Sequence, residues 1–296
     1  MQQRYKIHHL GILCDDLAAN VDFYTHVLGH QICAKVESAE RNIVWVGSGS
    51  SLFLELIGAP FTPAEQAWHA QRGAGFHHLA FEVENLDASW QQLTEAGLDT
   101  IHPPISGPHG QSFMVWDDSR VPVEVVQGYT SIQPAKVGPQ PAEFLLHHFD
   151  IFSDNWQRTK AFYAQHFGFR SVFEYIYDHG GAFIYLADSY FDARSRQAMI
   201  EVIGPNYEEA REFKFSEKFG TGMDHIGYVV QDVKQAHQIA LERGSADFVQ
   251  PYADYGTEMC WVQDANGADL ELMLPVNAKA LQKAFKTGIP FRPNSK

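Results

Sequence analysis

The chain has 296 residues, 45% of them hydrophobic and 13% aromatic, enough for one large core or two ordinary ones and unlike a disordered chain. A formal charge of −14 with no Lys/Arg run repels phosphate backbones, so nucleic acid is excluded as an expected partner. Cys14, Cys33 and Cys260 are too dispersed for a disulfide framework or a CxxC zinc site. The first residues, MQQRYKIHHLG, lack the apolar run of a signal peptide, and no apolar stretch approaches the roughly 18 residues of a membrane span, so a cytoplasmic protein without a membrane partner is expected.

The first predicted strand lies in KIHHLGILCDDL, at residues 6–17, and ends at Asp16, an N-cap residue type. A helix follows in DLAANVDFYTHVLG, with Leu17, Val21, Tyr24 and Leu28 spaced three to four apart. After the strand-like RNIVWVG, the unit closes on LFLELIG, an apolar strand carrying Glu55. The same order then recurs three times. HHLAFEVENL opens a second unit at 77–86, HHFDIFSDNW a third at 147–156 and DHIGYVVQDV a fourth at 224–233.

Anchored on His9, His78, His148 and His225, each unit has its cap seven residues on, at Asp16, Asn85, Asn155 and Asp232. Each has its strand glutamate 46, 46, 53 and 46 residues on, at Glu55, Glu124, Glu201 and Glu271. The long third interval reflects an insertion around 186–197. The first and third units share an FY…G helix ending, at Phe23-Tyr24 and Phe162-Tyr163; the second and fourth end their helices at Gly97 and Gly244.

Each unit therefore reads as βαβββ, and the chain as an α+β protein with four such modules, at 5–57, 76–127, 146–203 and 223–275. They make two tandem domains, 1–130 and 144–276, joined by a Pro/Gly-rich linker at 131–143 and followed by a tail at 277–296. Linker lengths leave open whether modules pair as one with two and three with four, or in the crossed arrangement.

By strict alternation, Ile7, His9, Gly11 and Leu13 share one face of the first strand, and Phe53, Glu55 and Ile57 one face of the last. His8, His77 and His147 would then point to the opposite face as structural residues, since only the second histidine of each pair recurs in all four units. A glutamate in an apolar strand is costly to bury unless it is paired or ligates a metal. Two packed modules would converge two imidazoles and two carboxylates, a donor set for an octahedral divalent ion such as Zn, Ni, Co, Mn or Fe, up to two ions per chain. The expected metal residues are His9, Glu55, His78, Glu124, His148, Glu201, His225 and Glu271. Trp45, Trp116, Tyr185 and Trp261 are candidates to line the pocket or simply to fill the core.

The fourfold HHLGI…DL…FY…LG…ELIG pattern resembles the vicinal oxygen chelate superfamily over residues 5–275. That superfamily includes glyoxalase I, bleomycin-resistance proteins, methylmalonyl-CoA epimerase and extradiol dioxygenases. The resemblance implies paired modules forming a cup-shaped mixed sheet, helices outside, around a metal held by the histidine seven residues before the Asp/Asn.

It also implies alternatives. Two-domain extradiol dioxygenases would use His148, His225 and Glu271 on iron. Here, however, Trp261 stands where those enzymes carry a catalytic tyrosine, and the first half keeps its full donor set. Two complete sets look more like glyoxalase I. There a metal-stabilised enediolate forms as a carboxylate moves a proton, and Glu124 and Glu271 are the implied bases. The arginine that glutathione-dependent forms carry after the first histidine is replaced by Leu13 and Phe152, with Arg158, Arg194, Arg196 and Arg211 as substitutes and Asn206 as an echo of a glutathione-site asparagine. Bleomycin-resistance-type sequestration of an aromatic ligand is the third reading. The expected partner is a small molecule with two adjacent oxygens; a homodimer is left open.

Overall fold

A computed structural model describes residues 3–49, 52–107, 109–129, 132, 144–176, 180–191, 198–204, 220–254 and 257–275. Arg194, Arg196, Asn206, Arg211, nearly all of the linker and the tail lie outside the described residues. Among the described residues, no helix is long and apolar enough to cross a membrane.

The first module runs β1 (Lys6–Cys14), α1 (Leu17–Asp22), β2 (Gln31–Glu37), β3 (Asn42–Gly47) and β4 (Phe53–Gly58). A connecting helix, α2 (Pro63–Arg72), leads to β5 (Gly75–Glu82), α3 (Leu86–Glu95), β6 (Thr100–Ser106), β7 (Gln111–Trp116) and β8 (Pro122–Gln127). The second half repeats this with β9 (Leu145–Phe152), α4 (Trp156–Phe167), β10 (Arg170–Ile176), β11 (Ala182–Ala187) and β12 (Met199–Ile203). It ends with β13 (Gly222–Val229), α5 (Val233–Glu242), β14 (Ala246–Asp254), β15 (Thr257–Gln263) and β16 (Asp269–Met273).

All four expected caps are made. The side chains of Asp16, Asn85, Asn155 and Asp232 accept from the backbone N–H three residues on, each worth about 1 kcal/mol. The first helix departs from its sequence pattern by loosening into a π-turn over Phe23–Val27, whereas α4 stays regular to Phe167. Helix α2 was not anticipated, although Thr62, Pro63 and Glu65 form a full capping box that marks its start.

Two eight-stranded mixed sheets result, ordered β2-β3-β4-β1-β5-β8-β7-β6 and β10-β11-β12-β9-β13-β16-β15-β14. Antiparallel pairing of β1 with β5 and of β9 with β13 joins module one to two and three to four, which removes the crossed arrangement. The face away from each cup carries Ile7, Leu10, Ile12, Phe81, Phe149 and Ile226, all within one core that runs through both halves. Tyr5 meets Phe167 edge-on at 4.9 Å across that boundary, and Phe81 meets Phe169 at the same distance.

Several polar contacts between the halves come in matched pairs. Tyr24 donates to Asp264 at 2.9 Å, and Tyr163 donates to Asp117 at 2.7 Å. The backbone N–H of Ile7 donates to Asp188 at 2.8 Å, and that of Leu146 to Ser48 at 3.2 Å. Asn20 bonds Asn266, and Thr159 bonds Ser119, both at 2.9 Å. Tyr163→Phe is expected to cost about 1–2 kcal/mol in urea unfolding, the value of a buried hydrogen bond to a retained acceptor.

Burial pushes the Asp117 carboxyl up to about 7, against hydrogen bonds from the Val121 and Ser119 backbone and from Tyr163. The folded state thus holds a proton that the unfolded chain releases near 3.8. The stability from this proton is complete below that value and is lost as pH rises through about 7. Asp117→Asn keeps the neutral form at every pH. It is expected to gain on the native protein by about 2 kcal/mol between pH 5 and pH 8. Urea midpoints at the two pH values that differ by the same amount for both proteins would contradict this.

Candidate metal centre

Strict alternation fails at the histidine pairs, and the reason is a bulge in every opening strand. In β1 the pairing to β5 jumps from Ile7↔Phe81 to His9↔Ala80, so His8 has no partner position in that register. The same slip passes over His77 in β5 and His147 in β9, and in β13 a slip spans Asp224 and His225 opposite Asp150. A bulge adds one residue to one strand and turns its neighbours. Ile7 therefore joins the outer core, and His8 turns inward with His9. The expectation that His8, His77 and His147 point to the face opposite the anchor histidines is corrected: each bonds the next histidine, Nδ1 to Nδ1, at 2.8, 2.8 and 2.9 Å. In the fourth unit, Asp224 takes that place, 3.1 Å from His225 Nδ1.

With Nδ1 engaged behind it, each anchor histidine presents Nε2 to the cup. In the first cup, His9 Nε2 and His78 Nε2 are 3.1 Å apart. Glu55 Oε2 lies 3.5 and 3.3 Å from these two nitrogens, and Glu124 Oε2 lies 3.2 and 3.6 Å from them. In the second cup, His148 and His225 are 3.2 Å apart through Nε2. Glu201 Oε2 is 2.9 and 3.3 Å from them, and Glu271 Oε2 is 3.3 and 3.9 Å away. All eight sequence-predicted residues are thus brought together, four to a cup, and all are buried.

The register explains the convergence. Each glutamate lies beside the residue two after an anchor histidine, as in Gly11↔Glu55, Ala80↔Glu124, Asp150↔Glu201 and Gly227↔Glu271. Glycine at two of these positions lets the opposing imidazole sit on the backbone. A Cβ on Gly11 would lie 2.0 Å from His78 Cε1, and one on Gly227 would lie 1.9 Å from His148 Cε1.

The donors fit a divalent cation. Burial raises the Glu55 and Glu201 carboxyls, yet the adjoining histidines hold each at about 2. Burial lowers the His78 imidazole, but Glu124 and Glu55 lift it to about 9. His148 is likewise raised by its two glutamates over the cost of burial. Each pocket therefore sets two carboxylates against its imidazoles, and a divalent cation can take the place of the imidazole protons that otherwise balance them. Cis ligands of an octahedral ion with bonds of about 2.1 Å stand about 3 Å apart, close to the separations found in both cups.

The strand next to each glutamate supplies its wall. Trp45, Met114, Tyr185 and Trp261 pair with Glu55, Glu124, Glu201 and Glu271. Trp45 sits edge-on to His9 at 4.6 Å and Trp261 to His225 at 4.8 Å. Trp116 instead stacks on Trp68 of α2, at 6.1 Å. Two features of the first cup were missed from sequence: α2, which brings Trp68 against His77, and Tyr129, whose ring stacks over His9.

The fold, the His148/Glu201/His225/Glu271 cluster and the His9/His78/Glu124 cluster with Glu55 beside its histidines define a duplicated βαβββ cup protein with a candidate metal centre in each half. The Glyoxalase/Bleomycin resistance protein/Dioxygenase superfamily model matches residues 6–125 and 145–272, and the chain belongs to that superfamily. It is 32% identical over 126 residues to the uncharacterized protein YwkD of Bacillus subtilis (strain 168), covering 41% of this chain and 95% of that one. It is 27% identical over 111 residues to the mitochondrial methylmalonyl-CoA epimerase of Dictyostelium discoideum, covering 36% of this chain and 66% of the relative. The Mn(II)-bound glyoxalase from Novosphingobium aromaticivorans shares the fold at a TM-score of 0.64 and 16% identity, over 93% of this chain and 84% of that one.

Proposed function

We propose that the protein is a divalent-metal-dependent lyase or isomerase of the glyoxalase I type, acting on a small substrate with two neighbouring oxygens. The observation that carries this reading is the retention of a complete His/Glu/His/Glu set in both cups. The bound ion supplies Lewis-acid stabilisation of negative charge developing on the two substrate oxygens. His9, His78, His148 and His225 would hold it through Nε2, with Glu55 and Glu201 as its carboxylates. Glu124 and Glu271 are the groups we assign to proton transfer at the carbon next to the carbonyl. Trp45 and Trp261 exclude water beside them. Resemblance to methylmalonyl-CoA epimerase supports proton transfer as the class of step, and Trp261 in place of a tyrosine disfavours ring cleavage. Residues 1–130 and 144–276 are the two domains in this reading, and the protein is cytoplasmic.

The test is deuterium exchange. Protein loaded with Mn(II), Ni(II), Zn(II) or Fe(II) is incubated in D2O with a panel of hemithioacetals, 2-oxo acids, acyl thioesters and catechols, with proton NMR and an oxygen electrode as paired readouts. Loss of the carbon-bound proton without oxygen uptake is expected. Oxygen uptake with a catechol substrate would move the assignment to a dioxygenase.

A further inference from the structure

The two cups differ in what stands behind their histidines. A histidine that ligates through Nε2 must carry its proton on Nδ1 and donate it to an acceptor, and that acceptor tunes how strongly Nε2 donates. Three of the four acceptors are neutral imidazole nitrogens, on His8, His77 and His147. The fourth is a carboxylate, Asp224, buried beside His225. A second carboxylate lies on the same side: Asp150 Oδ2 is 3.7 Å from His225 Nδ1. At the matching positions of the other strands stand Gly11, Ala80 and Gly227. The first cup thus gathers two carboxylates around its histidine pair, and the second gathers four.

We infer that the cups are not equivalent, and that the C-terminal cup binds a divalent cation more tightly because Asp224, seconded by Asp150, orients and polarises His225. Asp224 is a positioning residue here and touches the ion only through the imidazole. A more electron-rich Nε2 and two extra buried carboxylates beside the imidazole both favour a cation over the empty cup. The inference rests on the reading that both cups hold a metal.

The experiment is a titration of metal-free full-length protein with Co(II), in chelator buffers that fix the free ion. It is followed by visible absorption and by elemental analysis after dialysis. Two steps at least tenfold apart are expected in the native protein. The tighter step should persist in E55Q/E124Q and vanish in E201Q/E271Q. Asp224→Asn should weaken the tighter step by about 10- to 100-fold and leave the weaker one unchanged, the untouched step showing that the variant is folded. Asp224→His, which copies the other three units, should bring the two steps together. Two equal steps, a tighter N-terminal cup, or an Asp224→Asn protein with an unaltered C-terminal step would each overturn the inference. Native protein that takes up no Co(II) in either cup would overturn the metal reading itself, a failure visible before any variant is made.

Discussion

Gly227→Ala is expected to strip the C-terminal cup of its metal although no donor is altered. The added methyl would sit 1.9 Å from the His148 ring. To reach ordinary contact, the imidazole must retreat by roughly 1.5 Å. His148 Nε2 then leaves Glu201, now 2.9 Å away, and Nδ1 leaves its hydrogen bond to His147. Displacements of about 1 Å at a preorganised centre cost on the order of a hundredfold, so metal content should fall from two equivalents to one. Gly11→Ala should do the same to the N-terminal cup through His78. Overpacking adds about 1–3 kcal/mol of destabilisation, so a thermal melt belongs beside the metal analysis. Ala80→Gly is the control, because that register position already tolerates a methyl opposite His9. Two equivalents retained in Gly227→Ala would exclude His148 as a donor.

Glu124→Gln combined with Glu271→Gln should lower turnover by about 10²–10⁴-fold, the range for loss of a positioned acid or base. Both glutamates are buried among imidazoles and walled by Met114 and Trp261. Glutamine preserves shape and one oxygen donor but cannot take a proton. If the cups act independently, each single variant retains the other cup's share of the rate. A single variant that abolishes all activity would mean that one cup alone is catalytic. Activity undiminished in the double variant would remove these two residues from the chemistry.

The convergence of the eight His and Glu side chains was legible because it is a property of sequence period. Four strands with the same His-to-cap and His-to-Glu intervals specify four copies of one geometry, and repetition singled out His9 over His8. The caps were legible for a similar reason, since Asp16, Asn85, Asn155 and Asp232 act on backbone only three residues away. The role of His8, His77 and His147 was not legible. A bulge belongs to a pair of strands, and alternation read along one strand cannot detect it. Module pairing was hidden for the same reason, being decided by β1 against β5. Asp117 and Asp264 accept from the backbone of the turns that follow them, a local role; their second role needs Tyr163 and Tyr24 from the far half of the chain.

Several bonds between the halves are made twice, once in each direction: Tyr24 to Asp264 and Tyr163 to Asp117, Ile7 to Asp188 and Leu146 to Ser48. Reciprocity of this kind is the mark of an isologous contact, as between identical subunits about a two-fold axis. The chain is in effect a dimer written as one polypeptide. In a true homodimer every substitution appears in both cups at once. Joining the subunits in one chain lifts that constraint, and Asp150 and Asp224 are changes of a kind that only a covalently joined pair can keep on one side.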